Sequence, residues 1–187
     1  MLNKVKLKHF NKSAEDGKTE EMIKELNIKP GYSIADIGSG GGYYTLKFAE
    51  LVGEIGLVYG VDVDQKNLDF IAKEVKKQGL ENQIKLVLGD AKDSNLPKNE
   101  LDLIFLRNSF HHLKNRKEYF RSLADCLNDK GKIVIIDHKK GQSSGPSLGH
   151  GTGAGEIESV MDGIGLIQYK SFDFLKGQWF FIYKKTE

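Results

Sequence analysis

One stretch constrains the fold of this 187-residue chain more than any other: a short apolar run with an acid near its end, which passes into a glycine-rich turn. The run covers residues 33–37 and contains Asp36, the turn covers residues 38–42, and apolar residues at helical spacing follow. This order predicts a strand, a tight turn and a helix. Glycine reaches positive φ without a steric penalty, and its missing Cβ lets a ligand lie against the backbone. The turn is therefore a candidate binding site.

Charge around the turn indicates which ligand suits it. A dinucleotide pyrophosphate favours Gly-x-Gly-x-x-Gly at a helix N-terminus, but here Tyr43 follows Gly42 and Asp36 stands two residues before Gly38. The carboxylate would repel a pyrophosphate, and no Gly-Lys-Ser or Gly-Lys-Thr sequence follows to hold a triphosphate. A ligand that carries an ammonium group and no phosphate fits an acid beside a bare backbone. A glycine-rich turn without any ligand is the alternative.

The pattern Asp36-x-Gly38-x-Gly40-x-Gly42 resembles the first motif of the class I S-adenosylmethionine-dependent methyltransferases. S-adenosylmethionine carries an α-ammonium and a sulfonium, so it is a ligand of the kind that the charge argument favours. The resemblance implies that this cofactor contacts the turn through Asp36, Gly38, Ser39, Gly40, Gly42 and Tyr43.

Acids also follow the next two predicted strands. Asp62 ends the second strand, at residues 57–61, where a carboxylate can accept hydrogen bonds from both ribose hydroxyls of an adenosine. Asp64 is the alternative, although it better suits the cap of a helix predicted over Gln65–Gln78. Asp90 follows the third strand and resembles the family's third motif, which meets the adenine amino group. The predicted cofactor-binding residues therefore include, in addition to Asp62, the following four: Val63, Asp90, Ala91 and Arg107.

Two adjacent histidines follow the fourth strand, which is predicted over residues 101–106. The segment Asn108-x-x-His111-His112 resembles the post-strand segment of methyltransferases that act on small molecules, including the quinone-biosynthesis type. His111 and His112 are candidate catalytic bases, because imidazole titrates near neutrality. A structural hydrogen bond is the alternative role for each of them.

The spacing of the remaining ligand-type residues predicts no metal site. His138 and His150 flank a glycine-rich segment at no metal-ligand spacing, and Cys126 is the single cysteine of the chain. Because Cys126 lies in an apolar helical pattern, a buried and inert thiol is expected there.

The rest of the chain continues the alternation of helices and strands. Asn115 and Glu118 form a pattern like a capping box, which opens a helix after the fourth strand. Residues 129–131 are predicted to form a turn before a fifth strand at residues 132–137. The last two strands are predicted to form a hairpin within residues 167–183.

The length fits one methyltransferase domain over residues 1–187. The resemblance implies a doubly wound, seven-stranded α/β sandwich of three layers, mostly parallel, in strand order 3-2-1-4-5-7-6 with an antiparallel last hairpin. In such a sheet the carboxyl ends of the strands line one crevice. Residues 1–30 are expected to cap the cofactor, and the glycine-rich residues 141–155 are either a mobile lid or a slack linker.

Composition bears on partners and location. With 28 basic and 26 acidic residues the net charge is +2, which gives no electrostatic case for a nucleic-acid partner. The Asn-Pro-Pro-Tyr type of sequence found in base-methylating enzymes is also missing after the fourth strand. No apolar run approaches the roughly 20 residues of a membrane helix, and the N-terminus carries no apolar signal core. A cytoplasmic protein without a membrane partner is therefore expected.

Together these residues predict transfer of a methyl group from S-adenosylmethionine to a small-molecule acceptor. Two alternatives from other classes stay open: a nicotinamide-dependent oxidoreductase, and a module that binds S-adenosylmethionine without catalysis. The acceptor, its reacting atom and the oligomeric state match no motif of the sequence.

Overall fold

The computed structural model describes residues 18–90, 93–142 and 150–186. These residues fall into two compact units, one within Met1–Asp90 and one within Ala91–Glu187. The first unit contains α1 (Thr19–Leu26), β1 (Ser33–Ile37), α2 (Tyr43–Val52), β2 (Leu57–Asp62), α3 (Gln65–Gln78) and β3 (Ile84–Leu88). The second contains β4 (Leu101–Arg107), a 3-10 turn (Phe110–His112), α4 (Arg116–Cys126), β5 (Leu127–His138), α5 (Ala154–Asp162), β6 (Leu166–Phe172) and β7 (Gln178–Lys185). The prediction of one domain over the whole chain stays a prediction.

The three strands of the first unit are parallel. Ile34 of β1 stands opposite Val58 of β2, which stands opposite Ile84 of β3. Strands such as β1 and β2 read as almost unbroken apolar runs, because a parallel sheet is covered on both faces. Helices α2 and α3 pack on these strands and bury Phe48 and Ile71 completely. This packing fixes the carboxyl ends of β1 and β2.

The second unit combines parallel and antiparallel pairing. Strand β5 is parallel to β4, and β7 lies antiparallel between β5 and β6. The fully buried side chains of Ile104, Ile135 and Phe180 come from β4, β5 and β7. Phe120 of α4 and Met161 of α5 are also fully buried. The pairing of β4 with β5 brings their carboxyl ends side by side.

The seven strands form one sheet in the order β3-β2-β1-β4-β5-β7-β6. The predicted strand order is confirmed, and so is the antiparallel last hairpin, formed by β6 and β7. Helix α3 spans Gln65–Gln78, which are the bounds that the apolar spacing predicts.

The predicted turn at residues 129–131 is wrong, because these residues lie inside β5. Leu101 and Leu103 of β4 pair with Leu127 and Lys132 of β5. Between these two pairs β5 has more residues than β4, and its additional residues form a bulge. Within the bulge, the side chain of Asn128 accepts a hydrogen bond at 3.0 Å from the backbone N–H two residues on. The polar, turn-like sequence is therefore accommodated as an irregularity within one continuous strand.

Two other predictions, the capping box at Asn115 and the irregular conformation of residues 141–155, also need correction. Asn115 precedes α4, but its side chain makes no cap hydrogen bond, so the predicted capping box is wrong. The ψ of 60° at Asn115 lies outside the extended region that N-cap residues usually adopt. Helix α5 begins at Ala154, so the end of the glycine-rich stretch is helical, and Glu156 accepts a hydrogen bond from the N–H of Gly153 at 3.4 Å. Residues 143–149 of the glycine-rich stretch, predicted as a lid or a linker, and the N-terminal residues 1–17 of the predicted cap lie outside the described residues.

Helix length bears on membrane insertion. A spanning helix needs about 20 residues, whereas the longest helix in the described ranges, α3, has 14. Over residues 18–90, 93–142 and 150–186, none of the helices has the length and apolarity that crossing a bilayer requires.

Candidate functional site

The glycine loop, residues 38–42, joins β1 to α2. Three of its glycines have positive φ, 77° at Gly38, 53° at Gly40 and 82° at Gly42. A Cβ at Gly42 would lie 2.7 Å from the side chain of Ile71, so this glycine serves the packing of α3. A Cβ at Gly40 would meet no other atom closer than 3.9 Å, so there is room beside the backbone at this position. Gly40 is therefore the position at which a ligand can approach the main chain.

Most backbone N–H groups of the glycine loop are already used inside the protein. Those of Gly38 and Ser39 donate to the carbonyl of Val61 at 2.8 and 3.0 Å, and that of Gly42 donates to the carbonyl of Ser39 at 2.8 Å. The N–H of Gly40 donates at 2.8 Å to the carboxylate that ends β2. A phosphate site needs N–H groups that point at the ligand. The loop therefore disfavours a pyrophosphate, as its neighbouring acid also does.

Asp36 is buried near the end of β1, and its carboxylate accepts a hydrogen bond from Oγ1 of Thr45 at 2.6 Å. Burial raises the pKa of Asp36 to about 7, the Thr45 hydrogen bond opposes this rise, and the charge of Asp62 adds to it. Among the described residues, no lysine or arginine pairs with this carboxyl. An ionised carboxylate buried without a cation is unfavourable, so a ligand ammonium would suit this position.

Asp62 is buried at the end of β2 and ties the glycine loop to the start of α3. Its Oδ2 accepts from the N–H of Gly40 at 2.8 Å, and its Oδ1 accepts from the backbone of Asp64 at 2.9 Å and from Asn67 at 3.1 Å. A carboxylate has about four acceptor positions, so about one remains for a ligand hydroxyl. Asp64 is exposed and caps α3 by accepting from the N–H of Lys66 at 2.9 Å, so its predicted capping role is confirmed.

Other groups near Asp62 fit an adenosine. Oγ of Ser39 is buried and makes no hydrogen bond within the described residues, which is unusual for a buried hydroxyl. Val63 is 72% exposed and Leu88 is 48% exposed, and Leu88 stands opposite Asp62 in the β2–β3 register. The residues present therefore fit S-adenosylmethionine: a carboxyl for an ammonium, acceptors for hydroxyls and exposed apolar side chains for an adenine.

In the second unit, the ring of His111 lies against Asp137 near the end of β5. Its Nδ1 is 2.7 Å from Oδ1 of Asp137, and the backbone N–H of His111 donates to Oδ2 at 3.1 Å. Asp137 is fully buried. Because an ionised carboxylate can only accept, Nδ1 carries the proton and Nε2 carries the lone pair. His111 therefore offers a fixed lone pair to a proton or a metal ion.

Thr152, which lies near the end of the glycine-rich segment, is hydrogen-bonded to the carboxylate of Asp137. Its hydroxyl donates to Oδ2 of Asp137 at 2.8 Å, and its backbone N–H donates to the carbonyl of His138 at 2.8 Å. The carbonyl of Thr152 accepts from Nε1 of Trp179 at 2.9 Å. Thr152 is thus bonded to both β5 and β7.

His111, His112 and His150 form what we call the imidazole cluster. Their ring centroids lie 4.0 Å (His111–His112), 5.1 Å (His111–His150) and 5.3 Å (His112–His150) apart, while His138 stands 6.3 Å from His111. Burial lowers the pKa of His112, neighbouring His111 and His150 lower it further, and Asp137 opposes them. Burial likewise lowers the pKa of His138. These shifts favour neutral imidazoles, which is the form that accepts a proton or binds a metal.

Arg107 is the last residue of β4 and lies in the second unit. Its Nη2 is 3.5 Å from Oε1 of Gln178, whose Nε2 donates to Oδ1 of Asn108 at 2.6 Å. Burial is the main cause of the lowered pKa of His138, and the positive charge of Arg107 lowers that pKa further. The assignment of Arg107 to the cofactor stays a prediction.

The structure gathers the predicted residues into two groups. The glycine loop, Asp36, Asp62 and Val63 lie together in the first unit, with Tyr43 as the first residue of α2, and His111 and His112 lie together in the second. Asp90 is exposed after β3, and Ala91 lies outside the described residues. Sequence reasoning missed Asp137, Thr152 and the place of His150. An acid near a strand end was a signal for Asp137, whereas nothing in the sequence marks Thr152.

A family model described as a methyltransferase domain matches residues 35–135. The chain is 27% identical to a demethylmenaquinone methyltransferase of Lactobacillus johnsonii, over 66% of the chain and 50% of that protein. It is 33% identical to a probable cobalt-precorrin-6B C(15)-methyltransferase (decarboxylating) of Saccharolobus solfataricus, over 67% of the chain and 65% of that protein. The chain therefore spans between one half and two thirds of the length of these curated relatives.

Solved structures resemble the fold over most of its length. A SAM dependent methyltransferase from Aquifex aeolicus matches 94% of this chain and 96% of its own, with a TM-score of 0.81 and 23% identity. A putative type 11 methyltransferase from Sulfolobus solfataricus matches 83% of this chain and 85% of its own, with a TM-score of 0.65 and 25% identity. The first of these likenesses concerns the fold alone.

Proposed function

Because the chain belongs to the methyltransferase domain family, whose model matches residues 35–135, we propose that it transfers a methyl group from S-adenosylmethionine to a small-molecule acceptor. The observation that carries this proposal is the buried carboxyl of Asp36 beside an open Gly40 backbone, without a cationic partner among the described residues. The α-ammonium of S-adenosylmethionine supplies the missing positive charge. A pyrophosphate would instead place negative charge near a carboxyl whose pKa is already raised, and few backbone N–H groups of the loop would be available to bind it.

The adenosine of the cofactor is proposed to lie at the ends of β2 and β3. Asp62 accepts a hydrogen bond from a ribose hydroxyl through its remaining acceptor position. Val63 and Leu88 supply exposed apolar surface for the adenine, and Ser39 supplies a hydroxyl that has no hydrogen-bond partner within the part of the chain that the structure describes. We also retain Asp90 and Ala91 as proposed partners of the adenine amino group, on the resemblance to the family's third motif.

The proposed reaction is displacement at the sulfonium methyl. The acceptor's lone pair forms the new bond to the methyl carbon, the carbon–sulfur bond breaks, and S-adenosylhomocysteine leaves with the electron pair. Holding the acceptor in line at about 3 Å supplies most of the rate enhancement. A base is needed only if the acceptor is an O–H or N–H group.

His111 is the proposed base where one is needed. Its Nδ1 proton is bound by Asp137, so the lone pair on Nε2 can take the acceptor's proton, and the same carboxylate stabilises the imidazolium that forms. The sequence left His111 and His112 equivalent. Within the described residues, only His111 of this pair has a carboxylate partner on its ring, so the base role is assigned to it.

The acceptor is proposed to be a small molecule. The relatives' names concern a quinone and a corrin precursor, which are small molecules, and the balanced charge gives no support for nucleic acid. A cytoplasmic location belongs to the same proposal.

Transfer of a labelled methyl group tests the proposal. The protein is incubated with methyl-labelled S-adenosylmethionine and a cell extract from which macromolecules have been removed. Label should move to a low-molecular-weight product, Asp62→Ala should lose this activity at low cofactor concentration, and Asp64→Ala should keep it. Binding of S-adenosylmethionine without transfer to any acceptor would favour the non-catalytic alternative. In a parallel incubation with nucleic acid added to the extract, label found only in the nucleic acid would overturn the small-molecule proposal.

A further inference from the structure

Three imidazoles of the second unit lie close enough to share one metal ion. His111, His112 and His150 each offer a ring nitrogen, and these three nitrogen atoms all lie within 4.8 Å of one another. Imidazole nitrogen is a ligand that zinc and its neighbouring transition metals favour. Three histidines with an open fourth position is one of the arrangements that catalytic zinc sites use.

The distances compare well with those of a tetrahedral site. With zinc–nitrogen bonds of about 2.0–2.1 Å, the ligand nitrogens stand about 3.4 Å apart. From the 4.8 Å limit, the three nitrogens need to close by at most about 1.4 Å. His112 and His150 are exposed, so their side chains can turn by this amount without disturbing a packed core.

The orientation of His111 is the one expected of a metal ligand. Its Nδ1 lies 2.7 Å from the buried carboxylate of Asp137, which leaves Nε2 as the ligand atom. Metal-ligating histidines commonly donate their second N–H to a carboxylate, which fixes both the tautomer and the ring orientation. The same carboxylate offsets part of the charge of a divalent ion.

His150 is positioned by the two residues that follow it. Gly151 has a φ of 140°, and a Cβ there would lie 2.9 Å from the carbonyl oxygen of the last residue of β5, so glycine is required. Thr152 then bonds that carbonyl through its N–H and Asp137 through its hydroxyl, each at 2.8 Å. One buried carboxylate therefore orients His111 directly and anchors the chain two residues after His150.

A positive charge near the imidazole cluster is balanced locally. Nη2 of Arg116 is 3.5 Å from the carbonyl oxygen of His111, while its Nη1 donates to Glu156 at 3.0 Å. The hydrogen bond from Arg116 also holds the pKa of Glu156 below its usual range, so this pair is ionised at neutral pH. The guanidinium charge is therefore offset beside the site.

We propose that His111, His112 and His150 bind one divalent transition metal ion of the zinc type, with Asp137 as the outer partner of His111 and a fourth coordination position open. The site rests on the second unit alone and does not depend on the proposed methyl transfer. A metal ion and an acceptor proton use the same lone pair on Nε2 of His111, so metal binding and base catalysis exclude each other in one molecule. Spacing along the sequence does not reveal the site, because the fold brings residues 111–112 and 150 together.

Zinc binding tests the site without a measurement of activity. The protein is expressed without a polyhistidine tag, stripped with EDTA and titrated with zinc against a chromophoric chelator, and separately with cobalt to record d–d absorption. One zinc per chain and a cobalt spectrum of tetrahedral intensity are expected. Loss of an outer partner typically lowers metal affinity about 10- to 100-fold. His150→Ala removes a ligand itself, so it should lower the zinc affinity at least about tenfold.

His138→Ala is the matched control, because it removes an imidazole whose ring centroid stands 6.3 Å from that of His111 and that is outside the group of three. Its zinc affinity should equal that of the unaltered protein. His150 is exposed, so His150→Ala should keep the fold, which circular dichroism checks. Failure to bind stoichiometric zinc would overturn the proposal, and so would equal losses in His138→Ala and His150→Ala.

Discussion

A buried aspartate near the carboxyl end of a strand lies beside each of two regions, Asp36 before the glycine loop and Asp137 next to the imidazole cluster, but the two carboxylates have different partners. Within the described residues, Asp36 accepts hydrogen bonds from Thr45 alone, through the neutral hydroxyl and the backbone N–H of that residue. Asp137 accepts three, from the ring and the backbone of His111 and from the hydroxyl of Thr152. The difference is consistent with the proposal that Asp36 serves a ligand, whereas Asp137 orients groups of the protein itself.

The groups around each carboxylate determine whether its charge is stabilised by the protein. Burial raises the pKa of Asp36 to about 7 even though Thr45 donates to it, so we propose a cationic ligand as its partner. Asp137 has enough donors to remain buried at the end of β5, and it uses them to fix an imidazole in one tautomer. Changes at each aspartate and its partners should therefore have opposite consequences for stability and activity.

The largest expected effect concerns the stability of the ligand-free protein at Asp36. Its folded pKa of about 7 lies above the ordinary value of 3.8, so the stability it contributes is present below about pH 4 and is lost as pH rises through about 7. At about 1.4 kcal/mol per pKa unit, the loss is up to about 4 kcal/mol. Asp36→Asn removes this term, so at pH 8 the variant should unfold at higher denaturant concentration than the unaltered protein.

The pH dependence isolates this effect from those of other groups. Denaturant unfolding of the unaltered protein and of Asp36→Asn should give free energies that diverge between pH 4 and pH 8 and agree at the acid end. The variant should also bind S-adenosylhomocysteine more weakly, because the amide cannot neutralise an ammonium. Parallel curves for the two proteins over this range would remove the distinction drawn between Asp36 and Asp137.

The next effect concerns His111, the partner of Asp137. If His111 takes the acceptor's proton, His111→Gln should lower kcat about 100-fold or more and leave the affinity for S-adenosylhomocysteine unchanged. Rates are measured in EDTA, so that no metal ion occupies the lone pair of His111. His112→Gln should keep most of the rate, and an equal loss in both variants would contradict the assignment of the base to His111.

A smaller effect separates the two acids at the end of β2, Asp62 within the strand and Asp64 beyond it. Asp62→Ala should weaken S-adenosylhomocysteine binding by about 1.5–3 kcal/mol, the range for hydrogen bonds to a charged group. Asp64→Ala should change the affinity little and instead lower the unfolding free energy by about 1 kcal/mol, because it removes the cap of α3. Titration calorimetry and thermal unfolding of both variants decide the matter. Equal losses of affinity would mean that both acids serve the ligand.

The glycine loop could be predicted from sequence because its parts are local. Asp36, Gly40 and the start of α2 lie within a dozen residues, and their order reports both backbone conformation and charge. The strand order was also predicted correctly, through the family that this motif indicates, and the comparisons confirm that family. The separate roles of Gly40 and Gly42 could not be predicted, since they depend on which side chain of α3 lies against each.

The imidazole cluster and its carboxylate partner could be predicted only in part, because three separate segments build them: residues 111–112, residue 137 and residues 150–152. His111 and His112 follow a strand and were identified as candidates, but Asp137 is distant in sequence and comes beside them through the pairing of β4 with β5. Thr152 reaches Asp137 through its hydroxyl and the end of β5 through its backbone N–H. The β-bulge and the missing cap at Asn115 were missed for a related reason. Local turn and cap signals there are overridden by the tertiary structure.

Thermal unfolding with a set of ligands tests the central claim most directly, namely that the glycine loop with Asp36 binds an ammonium-bearing nucleoside rather than a dinucleotide. At about 100 times its dissociation constant, S-adenosylhomocysteine should add about 2.7 kcal/mol and raise Tm by about 5–10 °C. NAD should have no effect, and 5′-methylthioadenosine, which lacks the ammonium, should give a much smaller shift at the same concentration. A rise in Tm with NAD and none with S-adenosylhomocysteine would contradict the account.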